Sequence, residues 1–344
     1  MRRRGVTVIL GALITALLAV GVMAFPLPYV VLKPGPTVNT LGSDNGKEVI
    51  QITGPGATAS TSAGQLRLTT VGVQPKVELV WAIRGWLSDE QSVVPRELIY
   101  PPDRSEAQVE RQNAEAFTVS QSSAETVALR KLGYPVQTAV TTVTEGGPSV
   151  GRLQKDDVIT SVDGAAVDSP ARLTELVRAK PAGTTLTVGY LRAGKAGTTT
   201  VTTRTEGEDE RPRIGVGIEP RQPHPFKLAI DLEEIGGPSA GLMFALGIID
   251  KLTPADLTGG KIIAGTGTID DGGKVGPIGG IPQKLVGAKA AGAHIFLVPA
   301  ANCAEATRNA VSGLPMAKVA TIDDALTAMK TFTSGGTPTP CPAT

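Results

Sequence analysis

The feature that most constrains this chain is its start, where Arg2-Arg3-Arg4 precede an uncharged stretch running from Gly5 to Leu32. Its apolar part, Val6 to Phe25, is about as long as the roughly 20 residues that cross a bilayer core. A core helix of a soluble domain would need a polar face, and this run has none. A cleavable signal peptide is the competing reading, with Val22-Met23-Ala24 as its cleavage box. The run exceeds the usual signal core of about 7–15 residues, which favours an uncleaved anchor. By the positive-inside rule the arginines stay in the cytoplasm. The expectation is a single-pass protein of the cell membrane with its C-terminal domains extracytoplasmic. Disulfides persist there, so the only two cysteines, Cys303 and Cys341, are a candidate bridge pinning the Pro/Thr-rich tail to the last domain.

Composition removes several function classes. The length of 344 residues allows about two domains besides the anchor. A net charge of +1 gives no electrostatic reason to expect nucleic acid as a partner, and 3% aromatic residues offer few stacking platforms for bases. The only histidines are His224 and His294, so no HExxH motif exists and no Cys/His cluster has metal-ligand spacing. No metal and no cofactor is expected.

After the anchor, the chain alternates short β-like runs with turn signals such as Lys33-Pro34-Gly35-Pro36. Gln65 to Val71 alternates polar and apolar residues, as a half-buried strand does. Val77 to Leu87 reads as a helix carrying both tryptophans, Trp81 and Trp86, for which core packing is the default. Arg104 to Lys131 reads as a helix ended by Gly133-Tyr134-Pro135. Strands are expected at Val136–Val143, Val158–Val162, Thr185–Leu191 and Thr198–Thr203, with a Ser169-capped amphipathic helix to Ala179. Asp156 and Asp157 read as turn and capping residues.

The stretch Gly147-Pro148-Ser149-Val150-Gly151-Arg152-Leu153-Gln154-Lys155-Asp156-Asp157-Val158-Ile159, followed by Val162-Asp163-Gly164, resembles the central signature of bacterial PDZ domains. The resemblance spans about Ala114 to Arg204. It implies a groove that takes an extended peptide as an added strand, with the Ser169 helix as one wall. The residues that would hold a peptide carboxylate are not placed by it. Thr205 to Pro212, rich in acidic residues, reads as a solvated linker.

Gly236-Gly237-Pro238-Ser239-Ala240-Gly241 precedes an apolar helix-like run, Leu242 to Ile249. A serine at a helix start has unsatisfied backbone N–H groups around it, which can hold the oxyanion formed when an acyl carbon is attacked. The same position suits a plain helix cap, so this run alone decides nothing. A nucleophilic serine needs a base. In Gly279-Gly280-Ile281-Pro282-Gln283-Lys284 a helix begins near Pro282, which places Lys284 by the helix start. A lysine there whose charge is disfavoured by the helix dipole and by burial would have its pKa lowered toward that of a neutral general base, but on this run alone a solvated surface lysine is the simpler reading.

Together the two runs resemble the proteolytic domain of the Lon family, including its PDZ-containing, ATPase-lacking members, over about Arg213 to Lys330. The resemblance implies a Ser-Lys dyad, with Ser239 as nucleophile and Lys284, 45 residues on, as its partner. It also implies Thr266, in Ala264-Gly265-Thr266-Gly267-Thr268-Ile269, as the residue orienting the lysine, and Gly237, Pro238 and Ala240 as the oxyanion and substrate turn. Many Lon proteases carry an acidic residue three positions before the serine; here Gly236 stands there. No GxxxxGK[ST] phosphate loop can be read around Thr268 to Lys274, so ATP-driven unfolding is not expected of this chain.

Two rivals remain on the sequence. Gly237 to Gly241 also satisfies GxSxG, the nucleophile elbow of α/β-hydrolases, with Asp250, Asp256, Asp270 or Asp271 and His294 in the matching order. A membrane-tethered PDZ adaptor or holdase with a degenerate protease domain is the other. The reading adopted is an α+β multidomain chain: cytoplasmic arginines and transmembrane helix (1–32), extracytoplasmic mixed β/α region (33–113), PDZ-like β domain with two helices (114–204), linker (205–212), Lon-type α/β proteolytic domain (213–332) and tail (333–344). It would be an ATP-independent serine endopeptidase acting on protein or peptide substrates outside the cytoplasm. The resemblance allows a homo-oligomer; nothing in the sequence itself calls for one.

Overall fold

The computed structural model describes residues 10–16, 27–55, 61–205, 210–232 and 236–342. The expected anchor falls largely on residues outside these. Among the described residues, no helix is long and apolar enough to cross a membrane. The chain then runs through β1 (Tyr29–Asn39), β2 (Ile50–Thr53), β3 (Gln65–Gln74), α1 (Leu79–Trp86), β4 (Ser92–Pro95) and α2 (Glu106–Lys131). Next come β5 (Gln137–Val143), β6 (Val158–Val162), α3 (Pro170–Arg178), β7 (Thr185–Arg192), β8 (Lys195–Thr202) and β9 (Val216–Arg221). The remainder holds β10 (Lys227–Ile230), α4 (Gly241–Leu252), β11 (Ile262–Gly265), β12 (Thr268–Ile269), β13 (Val275–Gly276), α5 (Ile281–Ala290), β14 (Ile295–Pro299), α6 (Cys303–Arg308), β15 (Met316–Val319) and α7 (Ile322–Thr333). These pack as two units, one of residues 1–128 with 226–344, the other of residues 129–225.

The first unit is built on a mixed sheet in the order β15-β14-β11-β3-β1-β4. The strands β15, β14, β11 and β3 run parallel, and β1 is antiparallel to both β3 and β4. Alternation along the strands decides what covers each face. Ile295 and Leu297 of β14 join the core with α4 and α7, whereas Phe296 and Val298 join Ile281, Leu285 and Ala288 of α5 on the opposite face. Apolar residues on both faces suit parallel strands sandwiched by helices. Helix α4 is apolar almost all round and its side chains are buried, as such a helix must be. Phe244 of α4 meets Phe117 of α2 edge to face, centroids 5.7 Å apart.

Residues 33–113 are therefore not a region apart. They supply β1, β3 and β4 to the sheet that carries the C-terminal elements, because β3 inserts beside β11 with Leu68 opposite Gly265. Lys33-Pro34-Gly35-Pro36 does not end a strand; it is an irregularity inside β1, whose register shifts between Pro34 and Thr37. The prolines are tolerated because β4 pairs only Tyr29 to Leu32, leaving that side of β1 without ladder bonds from Lys33 on. The tryptophans of α1 do not enter the core: Trp81 is 48% and Trp86 56% exposed. Ala82 and Gly85 take the inward positions instead.

The tail is tied back. Lys318 of β15 donates its N–H to the Thr339 carbonyl at 2.9 Å, Ala317 bridges Pro340, and Cys303 and Cys341 form a disulfide.

The second unit is a sheet in the order β8-β7-β6-β5-β9 with α3 against it. Ser169 caps α3 by accepting the Arg172 N–H at 3.2 Å. The buried Asp157 carboxylate takes a two-pronged contact from Arg192, 2.7 Å on each oxygen, which holds it well below its usual pKa against the opposing effect of burial. Asp156 sits in the left-handed region, φ 70°, and pairs with Arg221. Residues 106–128 of α2 pack with the first unit, and the second holds the last turn of α2 together with α3. Val216 to Arg221, placed by sequence in the proteolytic domain, pairs as β9 with β5 and completes this sheet.

Candidate active site

Ser239 lies in a single turn of 3-10 helix, Pro238–Ala240, that runs directly into α4. Gly237 before it has φ 90°, which a side chain at that position would disfavour. Lys284 lies in the first turn of α5, after the left-handed Gly280. The two helices cover opposite faces of the sheet, and the residues meet just past the C-terminal end of β11. Lys284 Nζ is 2.9 Å from Ser239 Oγ and 2.9 Å from Thr266 Oγ1. Thr266 follows β11 directly and donates its hydroxyl to the Ser239 carbonyl at 3.0 Å. The threonine oxygen is thus left to accept from the lysine.

Lys284 is 3% exposed, and no carboxylate among the described residues pairs with it. Burial alone brings its pKa down from 10.5 to about 8. The site opens on a cleft of about 680 Å³ lined by Ser239, Lys284, Pro238, Ala240 and, from across the sheet, Pro36 and Leu68 to Gly72. Those last residues come from β1 and β3. Their part in the site was not legible in a segment that carries no motif. Thr69 of β3 also donates to the Gly265 carbonyl at 3.2 Å, fixing the end of β11 beside Thr266.

Helix α2 holds the serine turn from behind. The Asn113 carbonyl accepts the Gly237 N–H at 2.9 Å, and Ser120 Oγ donates to the Pro238 carbonyl at 2.9 Å. A Cβ at Gly236 would come 3.3 Å from Asn113 Cβ, so the position that is acidic in many Lon proteases is here tight for any side chain. A Cβ at Gly241 would meet Ser120 Oγ at 2.6 Å and Ile269 at 3.0 Å. The second glycine of GxSxG is thus required by close packing of α2 and β12, not by a hydrolase elbow.

The rival triad does not assemble. His294 is exposed, and its Nδ1 accepts the Ile262 N–H at 3.1 Å at the start of β11, while Ser239 is held at the other end of that strand. Asp250 bonds Ser62 and the Leu257 N–H, Asp256 the Ala63 and Thr258 N–H groups, Asp270 the Lys274 N–H, and Asp271 the Ser123 hydroxyl. All four carboxylates tie loops together. Among the described residues no group of three or more His, Cys, Asp or Glu could hold a metal.

Residues 234–330 match the Lon protease (S16) C-terminal proteolytic domain, and residues 110–203 match a PDZ domain. The chain is Lon-like and carries a PDZ domain. Among curated relatives, a Lon protease of Roseiflexus castenholzii is 46% identical over 66 residues, 19% of this chain and 8% of that protein. A Lon protease of Azospirillum brasilense is 39% identical over 93 residues, 26% of this chain and 11% of the relative. This Lon-like chain thus aligns with about a tenth of the length of those relatives. Among solved structures, the PDZ domain of an SdrC-like protein from Listeria monocytogenes is 23% identical, covering 24% of this chain and 85% of that one with a TM-score of 0.23.

Within the PDZ unit, a groove of about 380 Å³ lies between α3, through Leu173, Thr174 and Val177, and the stretch Ile214 to Ile218. The strand β9 ends the sheet and pairs on one side only. The wall opposite the helix is therefore a segment that the sequence reading assigned to the next domain. Its Val216-Gly217-Ile218 alternation was the available signal.

Proposed function

We propose that this Lon-like chain is a serine endopeptidase in which Ser239 is the nucleophile and Lys284 its general base. The observation that carries the proposal is a buried lysine without a counter-charge, its Nζ 2.9 Å from a serine hydroxyl that opens on a cleft. With its pKa at about 8, about a tenth of Lys284 is neutral at pH 7, enough for a base. Neutral Nζ accepts the Ser239 proton as Oγ forms a bond to the peptide carbonyl carbon. The backbone N–H of Ser239 is at the second position of its turn, where no helical carbonyl reaches it, and would hold the oxyanion. On collapse the C–N bond breaks and the Lys284 ammonium protonates the leaving amine. Water then attacks the acyl ester; Lys284 takes its proton and returns it to Oγ as the acid leaves. Thr266 keeps Nζ in line throughout. No nucleotide or metal enters the reaction.

Substrate ends would enter the PDZ groove as a strand added to the free edge of β9. Val6 to Phe25 would anchor the chain, with both units outside the cytoplasm; the Cys303–Cys341 disulfide supports an oxidising location. The test is cleavage of an unfolded protein such as casein by the full chain and by Ser239→Ala, Lys284→Met and His294→Ala. Cleavage should be lost in the first two and kept in the third. Equal cleavage by wild type and Ser239→Ala, or none by either, would sink the peptidase and favour an adaptor.

A further inference from the structure

Helix α1 is turned inside out relative to an ordinary surface helix. Its small residues, Ala82 and Gly85, face the protein, and its large apolar residues face outward. Val80, Trp81, Ile83, Trp86 and Leu87 are 53, 48, 44, 56 and 82% exposed. Close packing enforces this orientation: a Cβ on Gly85 would meet Val93 Cγ2 at 2.7 Å and Val31 Cγ2 at 3.6 Å, so no larger residue fits the inner side. A contiguous apolar face of this kind, held by buried small residues, marks an interaction surface.

Its position selects the occupant. Leu27 bridges Val77, two residues ahead of α1, with the Leu27 N–H 2.9 Å from the Val77 carbonyl. At the far end, the Tyr29 ring meets Trp86 edge to face at 5.9 Å. Both ends of α1 are thus held by residues that follow directly on the apolar run ending at Phe25. Leu27 is two residues beyond Phe25, a reach of about 7 Å at most. If that run crosses the bilayer, α1 emerges at the headgroup level, where tryptophan and tyrosine concentrate. The flanking charges are mixed, Lys76 and Arg84 against Glu78, Asp89 and Glu90, so an anionic surface is not needed. Arg84 lies over the Trp81 ring, 5.7 Å from its centroid, and a side chain of this length can cover apolar surface while its head reaches a lipid phosphate.

We propose that α1 is an interfacial membrane helix, laying Trp81, Ile83, Trp86 and Leu87 into the outer edge of the bilayer beside the anchor. The inference rests on the reading of Val6 to Phe25 as membrane-spanning. It goes beyond anchoring: the first unit is held against the surface rather than swinging on a tether.

Trp81 and Trp86 are the only tryptophans of the chain, so intrinsic fluorescence reports on this helix alone. The full chain is reconstituted into phosphatidylcholine vesicles with acyl chains brominated near the headgroup, then floated on a density gradient. Expected is co-flotation, at least twofold quenching of tryptophan emission against unbrominated vesicles, and little quenching by aqueous iodide. Co-flotation with no bromine quenching overturns the helix proposal and leaves the anchor standing. Iodide protection in that case assigns the face to a second copy or to the chain's own N-terminal segment. Failure to float overturns both readings.

Discussion

Replacing Lys284 with methionine should make this protein more stable at neutral pH while removing its chemistry. The pKa of the buried lysine is about 8 in the fold against 10.5 when free. At about 1.36 kcal/mol per pH unit, that gap corresponds to about 3 kcal/mol. Its sign follows from proton counting. Between pH 8 and 10.5 the unfolded chain binds more protons than the folded one, so stability rises with pH across that window. Below pH 8 the whole penalty is present, and above 10.5 it is gone. Methionine has similar length, keeps the burial and carries no charge to desolvate. It forfeits the contacts to Ser239 and Thr266, but Thr266 keeps the Ser239 carbonyl as partner and Ser239 Oγ opens on the cleft, so the loss is about 1 kcal/mol. The net gain at pH 7 is about 2 kcal/mol. For a unit of this size that raises Tm by roughly 4–8 °C. Calorimetry of wild type and Lys284→Met side by side at pH 7 and pH 11 should show the gain at pH 7 and a small loss at pH 11. A variant that melts below wild type at pH 7, or a gap that ignores pH, refutes the neutral buried base.

If Lys284 is the base, kcat/KM for peptide hydrolysis should rise about fivefold from pH 7 to pH 8 and level off above pH 9, following the neutral fraction of a group with pKa about 8; a flat profile over that range counts against it. Thr266→Val removes an acceptor that favours the lysine cation, so the limb should shift to lower pH by up to about one unit while the plateau rate falls; a limb that moves upward contradicts the assigned contact. Gly241→Ala should cost about 1–3 kcal/mol and depress activity by pushing α2 off the serine turn, since its Cβ has no room beside Ser120 and Ile269; Ser120→Ala should relieve part of that loss. Cys303→Ala with Cys341→Ala should lower stability by about 2–4 kcal/mol, the chain-entropy value for a loop of 38 residues, as read from thermal melts.

What the sequence disclosed and what it hid divide along the range of the interactions. The serine and lysine runs are local: each is a glycine turn entering a helix, and chemistry restricts which residues can stand there. The strands of the PDZ unit and the cap at Ser169 are likewise set by near neighbours. The share of β1 and β3 in the catalytic sheet was hidden, because the Leu68–Gly265 pairing joins segments almost 200 residues apart and no pattern within either names its partner. The same holds for Asn113 and Ser120, two polar residues on a long helix whose task is visible only once the serine turn lies against them. The tryptophans misled for a different reason. Large apolar side chains are expected inside, but the space between α1 and the sheet admits only Ala82 and Gly85. Val216 to Arg221 was assigned to the wrong unit because a charged stretch precedes it, although its partner strand is β5.

The stapled tail has a bearing on how copies of this protein meet. The strand β15 is the last of its sheet, and its outer N–H and C=O groups would form a template for any extended chain. Thr339 and Pro340 occupy that edge, and proline, having no N–H to offer, stops further pairing outward. The disulfide to Cys303 is the clasp on this cover. In a reducing compartment only the Lys318–Thr339 hydrogen bond and the Ala317–Pro340 bridge would keep the cover in place, and lifting it would bare an edge of the kind that pairs with other chains.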